Sequence, residues 1–226
     1  VTIDGELLTI GARSLDTPGY DLLALMHGSE GLLAVVVEVT VKLLPSPPVA
    51  KVLLAAFDDV QKAGDTVAEI IAAGIIPAGL EMMDSAAIIA AEAFAKCGYP
   101  LDAAALFLCE LDGSAEEVEE EMAQVIALVE AGGATTHRVA ANDIERAKLW
   151  KGRKSAFPAV GRLSPDYYCM DGTIPRSKLA YVLSKMGELS RHYGLEIANV
   201  FHAGDGNLHP LILFDADIDG ELAKTE

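Results

Sequence analysis

Read for the alternation of apolar and polar positions, the chain changes character at Pro45-Ser46-Pro47-Pro48. Upstream, the pattern is that of strands. Residues 1–3 and 6–10 flank Asp4-Gly5, whose glycine supplies the positive φ of a type I′ turn, so a hairpin is expected. Asp21 is placed to cap a short helix over 22–26, with Gly28 just beyond its end. The run 32–44 is β-branched and mostly apolar, the pattern of a strand buried on both faces. Proline cannot donate to a ladder and restricts the residue before it. The proline cluster therefore marks a domain boundary, with residues 1–48 on one side and 49–226 on the other.

Downstream, strand and helix patterns alternate. Residues 51–57 read as a strand, after which Asp58 is expected to cap a helix with the stripe Val60, Ala63, Val67, Ile70 and Ile71, ended by Gly74. A short strand over 80–83 leads into an alanine-rich helix reaching about Lys96, and 104–111 is again strand-like. Ser114 and Glu117 make a capping box for a helix that buries Val118, Met122, Val125, Ile126 and Val129. After a strand at 135–140, Asn142 caps a helix carrying Trp150 and Arg153, expected to stop before Pro158. An extended stretch over 167–174, a helix ended by Gly194 and strands at 196–203 and 208–214 complete the series. The order predicts an α+β fold: a ferredoxin-like antiparallel sheet with helices on one face.

Composition narrows the function classes. With 51% apolar and 23% charged residues, a disordered or low-complexity chain is excluded. A net charge of −17 argues against a nucleic-acid partner, which demands a basic footprint. Cys97, Cys109 and Cys169 are widely spaced and form no C-x-x-C, which favours a reducing, cytoplasmic setting. No apolar run is long enough for a transmembrane segment. The charge is uneven: residues 146–178 carry +6 and the remainder −23. Such an island either focuses an anionic ligand or is a solvated helix face.

The sharpest chemical feature is Phe201-His202-Ala203-Gly204-Asp205-Gly206-Asn207-Leu208-His209-Pro210. Two strands joined by Gly-Asp-Gly-Asn, with Ala203 facing Leu208, set His202 directly opposite His209 on one face. Two imidazoles so placed can converge on a metal ion, although a buried hydrogen-bonded pair or a chance pairing gives the same pattern, and a catalytic metal asks for a third protein ligand. Arg153, in the basic island, can grip a carboxylate bidentately, or else be an exposed helix arginine. Gly28-Ser29-Glu30-Gly31 lets the backbone approach a flat ligand closely, but it is also an ordinary turn and neither a Rossmann nor a Walker signature.

The Gly-Asp-Gly-Asn-Leu-His run resembles the signature of the FAD-linked 2-hydroxyacid oxidoreductases of the vanillyl-alcohol-oxidase type. Gly19-Tyr20-Asp21-Leu22 and Gly28-Ser29-Glu30-Gly31 are similar to the end of that family's flavin-binding domain. Glu81-Met82-Met83-Asp84 and the run from Tyr167 to Arg176 resemble its glycolate oxidase branch. The resemblance covers the whole chain. It implies that 1–48 is the C-terminal part of a flavin-binding domain and 49–226 a substrate-side cap, the FAD-linked oxidase C-terminal domain. It implies FAD as cofactor, touched by Glu30, Gly31, Leu32, Leu33, Ala34 and Val35, although Leu32 and Ala34 stand where relatives have Thr and Gly. By the same resemblance His202 and His209 hold a divalent metal (zinc, manganese or iron), and Arg153 binds the substrate carboxylate.

The implied reaction is oxidation of a short 2-hydroxyacid, glycolate or D-lactate, to the 2-oxoacid with hydride transfer to flavin N5. Phe157, Cys169 and Leu211 stand where relatives that take a longer diacid have polar contacts, which favours the short acid. The family's pyrophosphate loop is expected before Val1, and its catalytic base and third metal ligand after Glu226, so the chain reads as an internal piece, inactive alone. Implied partners are a second, flavin-type subunit and an iron–sulfur subunit, and the implied location is cytoplasmic or peripheral at the inner membrane. A metal- or small-ligand-binding module without redox chemistry is the rival, because ferredoxin-like sheets host many functions.

Overall fold

The structure is a computed structural model that describes residues 1–12 and 19–226, in two units, Val1–Ser46 and Pro47–Glu226. In the first unit a turn over Thr2–Gly5 places Gly5, at φ 80°, where the Asp4-Gly5 signal requires it. Asp21 caps helix α1 (Leu22–Met26) through the Ala24 amide, at 3.0 Å. The strands expected over 1–10 and 32–44 are not formed. Leu32 is 88% and Leu43 85% exposed, and the links there are reciprocal contacts between Val1 and Val35. A strand is buried on two faces only between neighbouring strands and covering layers, and the described residues of this unit provide neither.

The second unit is built on β1 (Val49–Phe57), α2 (Val60–Ala72), β2 (Gly79–Asp84), α3 (Ser85–Ala95), β3 (Ala105–Gly113) and α4 (Ala115–Ala131). It continues through β4 (Thr136–Val139), α5 (Asp143–Lys154), α6 (Ala156–Val160), β5 (Asp166–Cys169) and β6 (Gly172–Thr173). A 3₁₀ turn (Arg176–Lys178) leads into α7 (Leu179–Tyr193), then β7 (Ile197–His202), β8 (Asn207–Leu208), β9 (Pro210–Phe214) and α8 (Glu221–Thr225). The strands run β4-β1-β3-β2-β7 and then β8 and β9, which lie end to end beside β7 and pair outward with β6 and β5; all pairings are antiparallel.

The α+β antiparallel architecture is the expected one, but helices cover both faces of the sheet rather than one. On one side α2, α4 and α7 pack Val67, Val125 and Leu183 against Phe57, Phe107 and Phe201. On the other, α3, α5 and α6 pack Ile88, Leu149 and Val160 against Leu54, Leu106 and Val200. β1 from Val52 and β3 as far as Cys109 are therefore buried on both faces, which is why those stretches read as continuous apolar runs. Each fully buried phenylalanine contributes roughly 1.5–3 kcal/mol.

Local signals hold with small shifts. Ser114 and Glu117 form the capping box, and Asn142 caps α5 through the Glu145 amide at 3.0 Å. Asp59, not Asp58, caps α2, since the helix begins at Val60; Asp58 instead pairs with Lys62 at 2.8 Å. α5 stops at Lys154, and Pro158 lies within the first turn of α6, where a missing amide proton breaks no helical bond.

Candidate functional site

The site lies on the sheet face covered by α3, α5 and α6. Glu81 and Met83 on β2 turn to this face, and His202 is the direct cross-strand partner of Glu81. The hairpin register differs from the expected one. His202 pairs with Asn207, not with His209, and Ala203-Gly204-Asp205-Gly206 forms the loop. The slip is two residues, so the side-chain parity of the strand is kept and His209 becomes the diagonal neighbour of His202. The rings meet edge to face with centroids 5.3 Å apart. Gly206 enforces this bend: its φ is +73°, and a Cβ there would be driven into the Ile174 carbonyl oxygen.

Arg153 is delivered from α5. Gly152 lets the helix sit on Tyr99, whose hydroxyl donates to the Leu149 carbonyl. Trp150 packs on Gly79 and donates through Nε1 to Glu110, which also takes a bidentate pair from Arg146 at 2.8 and 2.9 Å. Trp150 thus positions the helix. Arg153 itself is 8% exposed, its Nη2 2.7 Å from Glu81 Oε2, and its Nε is buried without an acceptor. A buried donor left open in this way costs about 1–3 kcal/mol, the mark of a group kept for an acceptor.

Glu81 joins the two halves of the site, since its Oε1 lies 2.6 Å from His202 Nδ1. A carboxylate only accepts, so Nδ1 carries a proton, and in the neutral ring Nε2 is then the lone-pair nitrogen. His209 lies 3.5 Å from Asp171 through Nδ1 and packs edge-on to Phe157. Burial, opposed by Asp171, moves the His209 pKa below the ordinary histidine value, which favours the neutral, ligating ring. The pair therefore fits two nitrogen positions of a divalent ion. No cluster of three or more ligating side chains occurs among the described residues, so the set is partial.

Of the basic island only Arg153 and Arg176 reach this region. Arg176 donates to the Gly204 carbonyl at 3.2 Å and, with Glu81 and His202, lines a cavity of about 150 Å³; Arg146 is spent on Glu110, and Arg162 lies over Phe94. Phe157 borders His209, Leu211 is fully buried in the core, and Cys169 is exposed on β5, paired with Leu211. In the first unit Glu30 and Gly31 are successive left-handed residues, at φ 50° and 81°, ahead of exposed Leu32, Leu33 and Val35. Bare backbone and exposed apolar side chains of this kind suit contact with a flat ring. Sequence reading missed the role of Glu81; its signal was a carboxylate between Leu80 and Met82 in the middle of a central strand.

The family profile described as "FAD linked oxidases, C-terminal domain" matches residues 46–226. The chain is 61% identical over 225 residues to the glycolate oxidase subunit GlcD of Escherichia coli K12, covering all of this chain and 45% of that protein. It is 38% identical to GlcD of Bacillus subtilis over 227 residues, covering all of this chain and 48% of that protein. It is 31% identical to a probable mitochondrial D-lactate dehydrogenase of Danio rerio, with 99% and 46% covered. The chain thus spans about half the length of the curated relatives it matches. Among solved structures, 4-ethylphenol oxidase from Gulosibacter chungangensis shares the fold at TM-score 0.58 and 14% identity over 80% of this chain and 42% of that one. For p-cresol methylhydroxylase the TM-score is 0.57 at 13% identity, with the same coverage.

Proposed function

The chain belongs to the family of FAD linked oxidases, by their C-terminal domain, and from that premise we propose that it serves the oxidation of a short 2-hydroxyacid, glycolate or D-lactate, to the 2-oxoacid. The observation that carries this reading is Arg153, buried with an unfilled donor beside two converging imidazoles on one face of the sheet. Arg153 takes the substrate carboxylate and fixes the acid's orientation. His202 and His209 supply two nitrogen ligands to a divalent ion, and Glu30 to Val35 contribute flavin contacts, with residues 1–48 assigned to a flavin-binding domain and 49–226 to the cap. When bound, FAD supplies the hydride acceptor, and the ion supplies Lewis acidity toward the α-hydroxyl. Phe157 offers no polar partner to a second carboxylate near His209, which favours a short acid.

Two relatives are named as glycolate oxidase subunits, which supports work beside further subunits; a flavin-type and an iron–sulfur subunit are proposed. No described helix is long and apolar enough to cross a membrane. The proposed setting is cytoplasmic, with peripheral contact at the inner membrane. The test is anaerobic titration of the full-length protein with glycolate, D-lactate and longer 2-hydroxyacids, read by visible absorbance. Bleaching of a yellow protein by a short acid is expected. A colourless protein, or a flavin that no 2-hydroxyacid reduces, would overturn the reading in favour of a binding module.

A further inference from the structure

One carboxylate touches both the guanidinium and an imidazole of the site, one oxygen for each. Glu81 Oε2 lies 2.7 Å from Arg153 Nη2, and Glu81 Oε1 lies 2.6 Å from His202 Nδ1. Its side chain is 13% exposed and sits on β2, hydrogen-bonded between β3 and β7, where Glu81 faces Leu108 on one side and His202 on the other. The strand backbone thus fixes the carboxylate, and the carboxylate in turn fixes two side chains from different elements. We infer that Glu81 is a positioning residue that couples the carboxylate grip of Arg153 to the tautomer and orientation of His202; this rests on the function proposed above.

The chemistry follows from donor and acceptor counts. The Glu81 carboxylate pairs with one edge of the guanidinium by charge, in a contact not aligned as a hydrogen bond, and leaves Nε, buried and without an acceptor, as an open donor. Accepting from Nδ1 selects, for the neutral His202 ring, the tautomer that presents Nε2 as its lone-pair nitrogen. A glutamine of the same shape cannot serve both partners. With its carbonyl on His202 it turns an amide N–H toward Arg153, donor against donor. With its carbonyl on Arg153 it turns that N–H toward Nδ1 and selects the other tautomer. A neutral Glu81 substitute therefore disturbs one half of the site whichever way it lies.

The experiment compares full-length wild-type, Glu81→Gln and Glu81→Asp proteins. It measures flavin content, urea unfolding midpoint, KM and kcat for glycolate and D-lactate, and the imidazole ¹⁵N shifts of labelled histidine. Expected for Glu81→Gln are wild-type flavin content, a total loss of kcat/KM of about 10–100-fold, and either a KM raised at least tenfold, where the amide carbonyl stays on His202, or loss of the Nδ1–H signature of His202, where it turns to Arg153. Glu81→Asp, charged but one methylene too short to span both partners, is expected to keep one contact and fall between. Should Glu81→Gln not fold, Glu81→Asp carries the same comparison. A folded variant whose KM stays within twofold and whose His202 also keeps its Nδ1–H signature overturns the inference. Failure of every 2-hydroxyacid to reduce wild-type flavin instead sinks the proposed function, and the histidine spectrum still decides whether Glu81 sets the tautomer.

Discussion

Replacing Gly152 with alanine tests whether the contact that seats α5 is as tight as the structure has it. A Cβ built on Gly152 comes within 2.5 Å of Cε2 and Cζ of Tyr99, a ring that is only 4% exposed and cannot swing into solvent. Helix propensity alone favours the change by about 1 kcal/mol. Against it stand overpacking of a close-packed core, about 1–3 kcal/mol, and the loss of the Tyr99 hydroxyl bond to the Leu149 carbonyl, about 1 kcal/mol. The net expectation is a destabilisation of about 1–3 kcal/mol, with the sign set by packing. Because Arg153 follows Gly152 directly, relief of the clash also moves the guanidinium from Glu81. KM for the hydroxyacid should then rise more than kcat falls. Urea unfolding of the full-length protein, paired with steady-state kinetics, reads both effects. An alanine variant as stable as the parent or more so, with unchanged KM, would refute the reasoning.

The other predictions concern the hairpin, the histidines and one half-buried acid. Gly206→Ala should cost about 1–2 kcal/mol for the left-handed backbone alone, and more for the collision with the Ile174 carbonyl. Its check is the urea midpoint, which an unstrained hairpin would leave unmoved. His202→Ala in the full-length protein should lower bound divalent metal, measured by elemental analysis, together with turnover; turnover near the parent level would count against the metal role. Asp84 caps α3 from a half-buried position, and desolvation raises its pKa from 3.8 to about 6, against the hydrogen bonds from Ala87 and Asn199. The folded state holds this proton more tightly than the unfolded one. The Asp84 contribution is thus fully present below about pH 4 and lost as pH rises through about 6, a span of roughly 3 kcal/mol. Asp84→Asn should remove that slope while keeping the cap. If the stability difference between the two proteins is flat from pH 4 to 6.5, the assignment fails.

Much of the scaffold was legible because its signals are local. Ser114, Asn142 and Gly194 act where their chemistry places them, and the apolar stripes of α2 and α4 face the sheet. The distribution of helices was not legible, since a strand buried on both faces looks the same whichever helix covers each side; Leu53 and Leu54 read alike but belong to opposite cores. The histidine pair survived a register error because the error was even; a slip of one would have parted the rings. Glu81 escaped notice because its meaning comes from residues 72 and 121 positions away, and no periodicity records such distances.

The bend that carries the imidazoles and the strand that carries the acid differ in how firmly they are held. β2 is laced along its length to long strands in the sheet's interior, whereas β8 is two residues long and has only the equally short β6 outside it. The pocket thus has an anvil and a hinge. A molecule seated between them would quiet the hinge alone: deuterium uptake at 202–208 should slow sharply on ligand addition, while the amides of 79–84 exchange at their old pace.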